Sequence, residues 1–164
     1  MGYTTNFTGQ ITVSPPLNPS EITYLRRFAE TRQMRRDNGP YFTGGGCAGQ
    51  DREADIRDFN PPLPEQPSLW CRWVPSEDGT AIEWDQGEKF YNSEAWMRYL
   101  IQTFLEKGAA VEVERGAPVE GRVYPDEFKD FTFDHVLNGV IEAQGEDPND
   151  HWLLVVENNE VRKV

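Results

Sequence analysis

The stretch Gly79–Ile101, GTAIEWDQGEKFYNSEAWMRYLI, changes its hydrophobic period half-way along. Ile82 and Trp84 oppose Ala81, Glu83 and Asp85, the two-residue alternation of a strand with one buried face. Trp96, Met97, Leu100 and Ile101 recur at threes and fours, the spacing of a helix, with Asn92 or Ser93 as its start. The apolar face continues through Phe104 and Leu105 and stops at Gly108, a natural C-terminal glycine. Just upstream, SLWCRWVPSEDGTAIEWD reads as a hairpin turning at EDG. A hairpin that feeds a broadly apolar helix predicts a helix packed on an antiparallel sheet.

The flanking segments extend that reading. TNFTGQITVS alternates at Phe7, Ile11 and Val13 as a first strand. NPSEITYLRRFAETRQMRRD then opens a helix: Asn18 as N-cap, Pro19 at the first position and Glu21 at the third form a capping box, and Ile22, Leu25, Phe28 and Ala29 make one stripe. AVEVE, from Ala110 to Glu114, reads as a strand. HVLNGVIEAQGEDPNDHWLLVVENNEVRKV reads as a three-strand meander with turns at DPND and NN. NPSEITYLRRFAE and NSEAWMRYLIQTFLE echo one another, as a duplicated β-α-β unit would, although two good helices would also share such chemistry. The expected fold is one α+β domain over residues 1–164: an antiparallel sheet with two main helices on one face, a split β-α-β, ferredoxin-like arrangement being one connection that the echo allows. Residues 38–67, with three consecutive glycines and five prolines, carry no sustained period and are expected to be a long flap or flexible loop.

Composition removes several classes of function. The net charge of −12 and pI of about 4.6 repel nucleic acid and anionic membranes, so direct duplex binding is not expected. Apolar runs such as Trp152–Val156 are far shorter than the roughly 20 residues of a spanning helix. The opening MGYTTNFTGQ has neither a basic head nor an apolar signal core, and a cytoplasmic location in a bacterial host is expected. Two cysteines, Cys47 and Cys71, and two histidines, His135 and His151, show no metal-site spacing. No cofactor or structural metal is expected. Cys71 lies in a strand-like run and is assigned to the core; Cys47 sits in a glycine-rich loop, where a free thiol would be exposed.

Two clusters carry candidate chemistry. If the apolar strand faces meet the helices, the opposite side displays Trp70, Arg72, Glu83, Glu142 and Gln144, either a binding surface or the ordinary solvated face of a sheet. Lys89 and Tyr91, beside the start of the second helix, either form an anion pocket with its free amides or, for the lysine, pair with a neighbouring acid. Arg26, Arg27, Arg32, Arg35 and Arg36 hold five of the 16 basic residues within eleven positions of the first helix; they grip an anion or pair with surrounding carboxylates. The FTGGGCAG loop that follows is no P-loop, because no Gly-Lys-Ser/Thr comes after it. Arg32, Arg35, Arg36, Trp70, Arg72, Glu83, Lys89, Tyr91, Glu142 and Gln144 are the expected ligand-binding set.

Three blocks, MGYTTNFTGQITVSPPLN, PSLWCRWVPSEDGTAIEWDQGEKFYNSEAWMRYLI and LNGVIEAQGEDPNDHWLLVVENNEV, together about half the chain, resemble a family of uncharacterised small proteins of actinobacteria and their phages. The resemblance implies a phage or mobile-element context and carries no catalytic residues. The leading expectation is a non-enzymatic accessory protein that binds a small anionic, nucleotide-like ligand or a host component, with counter-defence as one role open to it. An acidic interaction protein or nucleic-acid mimic is one alternative; a small hydrolase or transferase using Glu83, Glu142 or His151 is another. A homodimer through the open sheet face is compatible with the apolar fraction.

Overall fold

A computed structural model describes residues 2–43, 56–58 and 61–164, with Ile56 described by its backbone alone. Among the described residues eight strands form in chain order: β1 Asn6–Ser14, β2 Arg35–Arg36, β3 Ile56–Asp58, β4 Trp73–Pro75, β5 Ala81–Trp84, β6 Val136–Gln144, β7 His151–Glu157 and β8 Glu160–Lys163. The helices are α1 Pro19–Ala29, α2 Ser93–Leu100 and α3 Ala110–Gly116. The main sheet has the order β4-β5-β1-β6-β7-β8 and every pairing in it is antiparallel. β1 and β4, joined through α1, are separated by β5; β5 and β6, joined through α2, are separated by β1. That is the split β-α-β arrangement used twice, a ferredoxin-like order extended by the β7–β8 hairpin.

Side-chain alternation builds the core on one face. Phe7, Ile11 and Val13 of β1, Leu137, Ile141 and Ala143 of β6, and Leu154 and Val156 of β7 are buried against the helices, while Thr8, Gln10, Asn138 and Glu142 are exposed. Phe7 is the hub at the β5 side, with ring centroids 5.1 Å from Trp73, 5.5 Å from Trp84 and 5.7 Å from Phe90. From α2 and the π-helical turn that prolongs it to Leu105, Trp96, Met97, Leu100, Ile101, Phe104 and Leu105 are all buried. The turn between β4 and β5 depends on Gly79, at φ +77, where a Cβ would lie 2.4 Å from the Leu17 carbonyl.

The capping box of α1 forms: Glu21 N donates to Asn18 Oδ1 (3.0 Å) and Asn18 N to Glu21 Oε1 (2.9 Å). The second oxygen of Glu21 meets His135 Nε2 at 2.8 Å, inside the core, where both side chains are essentially inaccessible. His135 Nδ1 lies 2.6 Å from the Pro15 carbonyl. One carboxylate thus caps a helix and locks the approach to β6.

Two expectations are corrected. Helix α1 ends at Ala29 and does not carry Arg32, Arg35 and Arg36: Thr31 Oγ1 donates to the Arg27 carbonyl (2.6 Å) and Gln33 Nε2 to that of Phe28 (3.1 Å), which satisfies the last turn with side chains and turns the chain away. Arg35 and Arg36 instead pair with β3. Ala110–Glu114 is helical, because Glu112 accepts from Gly108 N (2.6 Å) at the start of α3 and only Val111 of the two valines is buried. Of the flap expected over residues 38–67, the described ends are packed, with Tyr41 and Gln66 buried and Gln66 Nε2 donating to Gln33 Oε1 (3.1 Å) and the Pro40 carbonyl (3.2 Å). Cys47 and the triple glycine lie outside the described residues. Among the described residues no helix is long and apolar enough to cross a membrane.

Candidate functional site

At the β4 edge of the sheet, the segment Pro62–Arg72 and the loop Glu88–Tyr91 enclose a cavity of about 720 Å³. Its lining includes Pro62, Pro67, Leu69, Trp70, Arg72 and, across from them, Glu88, Lys89 and Tyr91. The two walls are stapled together underneath. Asn92 Nδ2 donates to the Pro67 carbonyl (2.7 Å), Ser68 Oγ donates to the Tyr91 carbonyl (3.2 Å), and the indole of buried Trp96 donates to Ser68 Oγ (2.7 Å). The site therefore stands on α2 and the core rather than on a free loop.

The second wall has an unusual backbone. Gln86 (φ 72), Lys89 (φ 57) and Asn92 (φ 58) all occupy the left-handed region, which costs a residue with a Cβ of the order of 1 kcal/mol or more. Asn92, spending its side chain on Pro67, gives α2 no side-chain cap. The wall is shaped by its contacts against its own local preference.

Arg72 is held from three sides. Its guanidinium carbon lies 5.8 Å from the Trp70 ring centroid, its Nη1 is 3.8 Å from Asp85 Oδ2, and the backbone at Gly87 is so close that a Cβ there would sit 2.4 Å from Nη1. The Asp85–Gly87 turn is itself fixed, Gly87 N donating to Asp85 Oδ1 (2.7 Å) and the Trp84 indole to the Gly87 carbonyl (3.1 Å). Burial raises the Asp85 carboxyl pKa, against the opposing pull of the Gly87 amide and the Arg72 charge. Arg72 Nε is buried and has no hydrogen-bond acceptor among the described residues. Lys89 makes no ion pair among the described residues.

Of the ten expected ligand-binding residues, Trp70, Arg72, Lys89 and Tyr91 come together here. Arg35 stands behind the wall, its Nε 3.3 Å from the Pro62 carbonyl. Arg36 is buried with its guanidinium 4.7 Å from the Phe42 ring centroid, and Arg32 is half-buried; neither lines the cavity. Trp70 and Arg72 precede β4 and line this edge cavity, whose lining does not include Glu83, Glu142 or Gln144. Glu83 on β5 and Glu142 on β6 are two strands apart, about 10 Å by the usual strand spacing, and form no acid–base pair. Glu142 faces His151 at 3.7 Å in open solvent. Gln144 Nε2 braces the β6–β7 turn by donating to the carbonyls of Gly145, Asp147 and Asp150. Sequence reasoning missed the apolar lining of Pro62, Pro67 and Leu69, and the Asp85–Gly87 cradle, whose Asp-x-Gly turn chemistry was the available signal.

A second cavity, of about 460 Å³, is lined by Tyr41, Tyr99, Glu114 and Arg122 among others. There Glu114 already accepts from Tyr41, from Tyr124 (2.8 Å) and from Arg122 Nη1 (2.7 Å), and these bonds hold its carboxyl below the usual range although burial opposes them. Its charges are spent internally. Among the described residues no group of three or more His, Cys, Asp or Glu is placed to hold a metal ion. Comparison with protein-family models, with curated proteins and with solved structures finds no match to the chain.

Proposed function

We propose that the protein binds a small anionic organic ligand bearing a flat ring, the class to which nucleotides belong, in the cavity between Trp70–Arg72 and Lys89–Tyr91. The observation that carries this reading is convergence: two segments separated by the whole β4–β5 hairpin bring two cations and two aromatic side chains to one rigid-walled cavity. Electrostatics support it, because a chain of net charge −12 places Arg72 and Lys89 on the same concave surface and gives Lys89 no ion pair among the described residues. The role is binding rather than turnover, since the carboxylates named as catalytic candidates stand apart on the sheet face. The resemblance of three sequence blocks to small proteins of actinobacteria and their phages supports a phage or mobile-element accessory protein acting in a host cell.

Native mass spectrometry of the protein recovered from a bacterial host, against the same protein refolded from denaturant, tests the reading. A small-molecule adduct released on refolding, and absent from Arg72→Ala and Lys89→Ala, is expected. An adduct that survives both substitutions, or a protein that emerges bare and binds no anion on titration, overturns it.

A further inference from the structure

We infer that the ligand is a singly charged amphipathic anion, an aromatic body carrying one carboxylate-type oxyanion, clamped between Arg72 and Lys89; the inference rests on the binding role proposed above. Charge sets the first limit. The lining holds two cations, Arg72 and Lys89, and one acid, Glu88, while Asp85 stands 3.8 Å behind Arg72. The surplus is one positive charge at most. One oxyanion balances it; a polyphosphate would carry several uncompensated charges into a protein already at −12. The rest of the lining, Pro62, Pro67, Leu69 and Trp70, offers apolar surface for a ring and little to solvate further phosphates.

The guanidinium supplies the geometry. Trp70 covers one face of Arg72, and the Gly87 backbone confines its Nη1 end. The Nε donor is closed off and has no acceptor among the described residues. An oxyanion seated on the terminal amino groups meets a fork of planar, fixed donors that an ammonium cannot reproduce. Lys89 approaches from the opposite wall, its stem running beside Gly2, where a Cβ would lie 2.6 Å from Lys89 Cδ. It acts as a point charge on the same oxygens.

The test uses the full chain and three probes: 8-anilinonaphthalene-1-sulfonate as an aromatic monoanion, N-phenyl-1-naphthylamine as its neutral counterpart, and ATP as a polyanionic competitor. Fluorescence titration is expected to show the monoanion binding more tightly than the neutral probe and ATP failing to displace it. Arg72→Gln and Lys89→Asn should each weaken the monoanion about tenfold or more while barely moving the neutral probe. Asparagine tolerates the left-handed backbone of residue 89, so that variant keeps the fold. Arg72→Lys keeps the charge, loses the fork and should also weaken binding, which covers the case of a poorly folded Arg72→Gln. Displacement by ATP, with both cations required, overturns the single-charge inference and leaves the binding site standing. Equal binding of charged and neutral probes, indifferent to both substitutions, overturns the clamp. Failure of every probe to bind removes the clamp and the binding reading together.

Discussion

Two connections of this fold each place a non-glycine residue in the left-handed region, and they treat their polar groups in opposite ways. In Phe131–His135, ahead of β6, the left-handed residue is Phe133 (φ 51), buried in the core, and the polar groups around it are bonded within the protein: His135 to Glu21 and Pro15, and Thr132 Oγ1 to Asp134 Oδ1 at 2.6 Å. In Asp85–Asn92, ahead of α2, the left-handed Lys89 is exposed and, among the described residues, without an ion pair, and it lines one cavity with an arginine whose Nε has no acceptor among them. The same backbone device serves packing in one place and presentation in the other. Whether a strained connection is structural or functional is read from what its polar groups lack, not from the strain itself.

The largest effect belongs to the satisfied side. Glu21→Ala removes a capping carboxylate and strands His135 in the core, and should cost about 3–5 kcal/mol in denaturant unfolding. Glu21→Gln, which keeps the hydrogen bonds and drops the charge, should cost less. A loss under about 1 kcal/mol for the alanine variant would mean that this junction is as loosely held as a surface ion pair.

Phe133→Gly follows in size. Relief of the left-handed backbone returns about 1 kcal/mol, but the lost ring costs about 3–5 kcal/mol for a core phenylalanine, so a net destabilisation is expected in thermal melts.

The His135 pair adds a pH signature with a definite sign. Burial alone would lower the His135 pKa; the hydrogen bond and charge of Glu21, the Pro15 carbonyl and Asp134 outweigh it and raise the pKa above the ordinary 6.5. The folded state therefore holds this proton more tightly than the unfolded chain. Its contribution is fully present below about pH 6.5 and is lost as pH rises through the folded value. Unfolding free energy measured from pH 6 to 9 should fall across that window, and His135→Gln should flatten the fall. An unchanged slope in the variant would assign the pH dependence elsewhere.

These elements differ in how far the sequence announced them. The capping box at Asn18–Glu21, the wide face of α2 and the closing meander follow from local rules of period and cap, while the echo of the two helices left the split β-α-β order as one of two readings. The end of α1 did not, because Thr31 and Gln33 stop it by bonding carbonyls that helix period cannot reveal; AVEVE misled because valine alternation over five residues suits strand and helix alike. At the site, Lys89 and Tyr91 were legible as residues with no packing role, and Trp70 and Arg72 as polar positions on a strand period. Their meeting was not, since it depends on Asn92, Ser68 and Trp96 drawing Pro67 against Tyr91. His135 was noted only as a missing metal ligand, because its partner Glu21 is 114 positions away in the chain.

Thiol chemistry probes the core that both connections share. Burial pushes the Cys71 thiol up to about 12, so in a Cys47→Ser variant no thiol should react with an aromatic disulfide at pH 8 until denaturant is added. Rapid labelling in the native state would show the wall behind Arg72 opening on its own.

The smallest effect is the most discriminating. Lys89→Gly makes the same exchange as Phe133→Gly, a left-handed side chain for glycine, but on the unsatisfied side, where the ammonium has no ion pair among the described residues to lose. It should stabilise the fold by about 1 kcal/mol or slightly less, the relief of the backbone minus the entropy glycine adds to the unfolded chain, which in a protein of this size is a rise of a few degrees in Tm. The same variant should lose the anionic probe. Gain of stability with loss of binding is what a residue held in strain for a ligand must show. If Lys89→Gly instead destabilises the protein as Phe133→Gly does, the two connections are alike, and Lys89 belongs to the architecture.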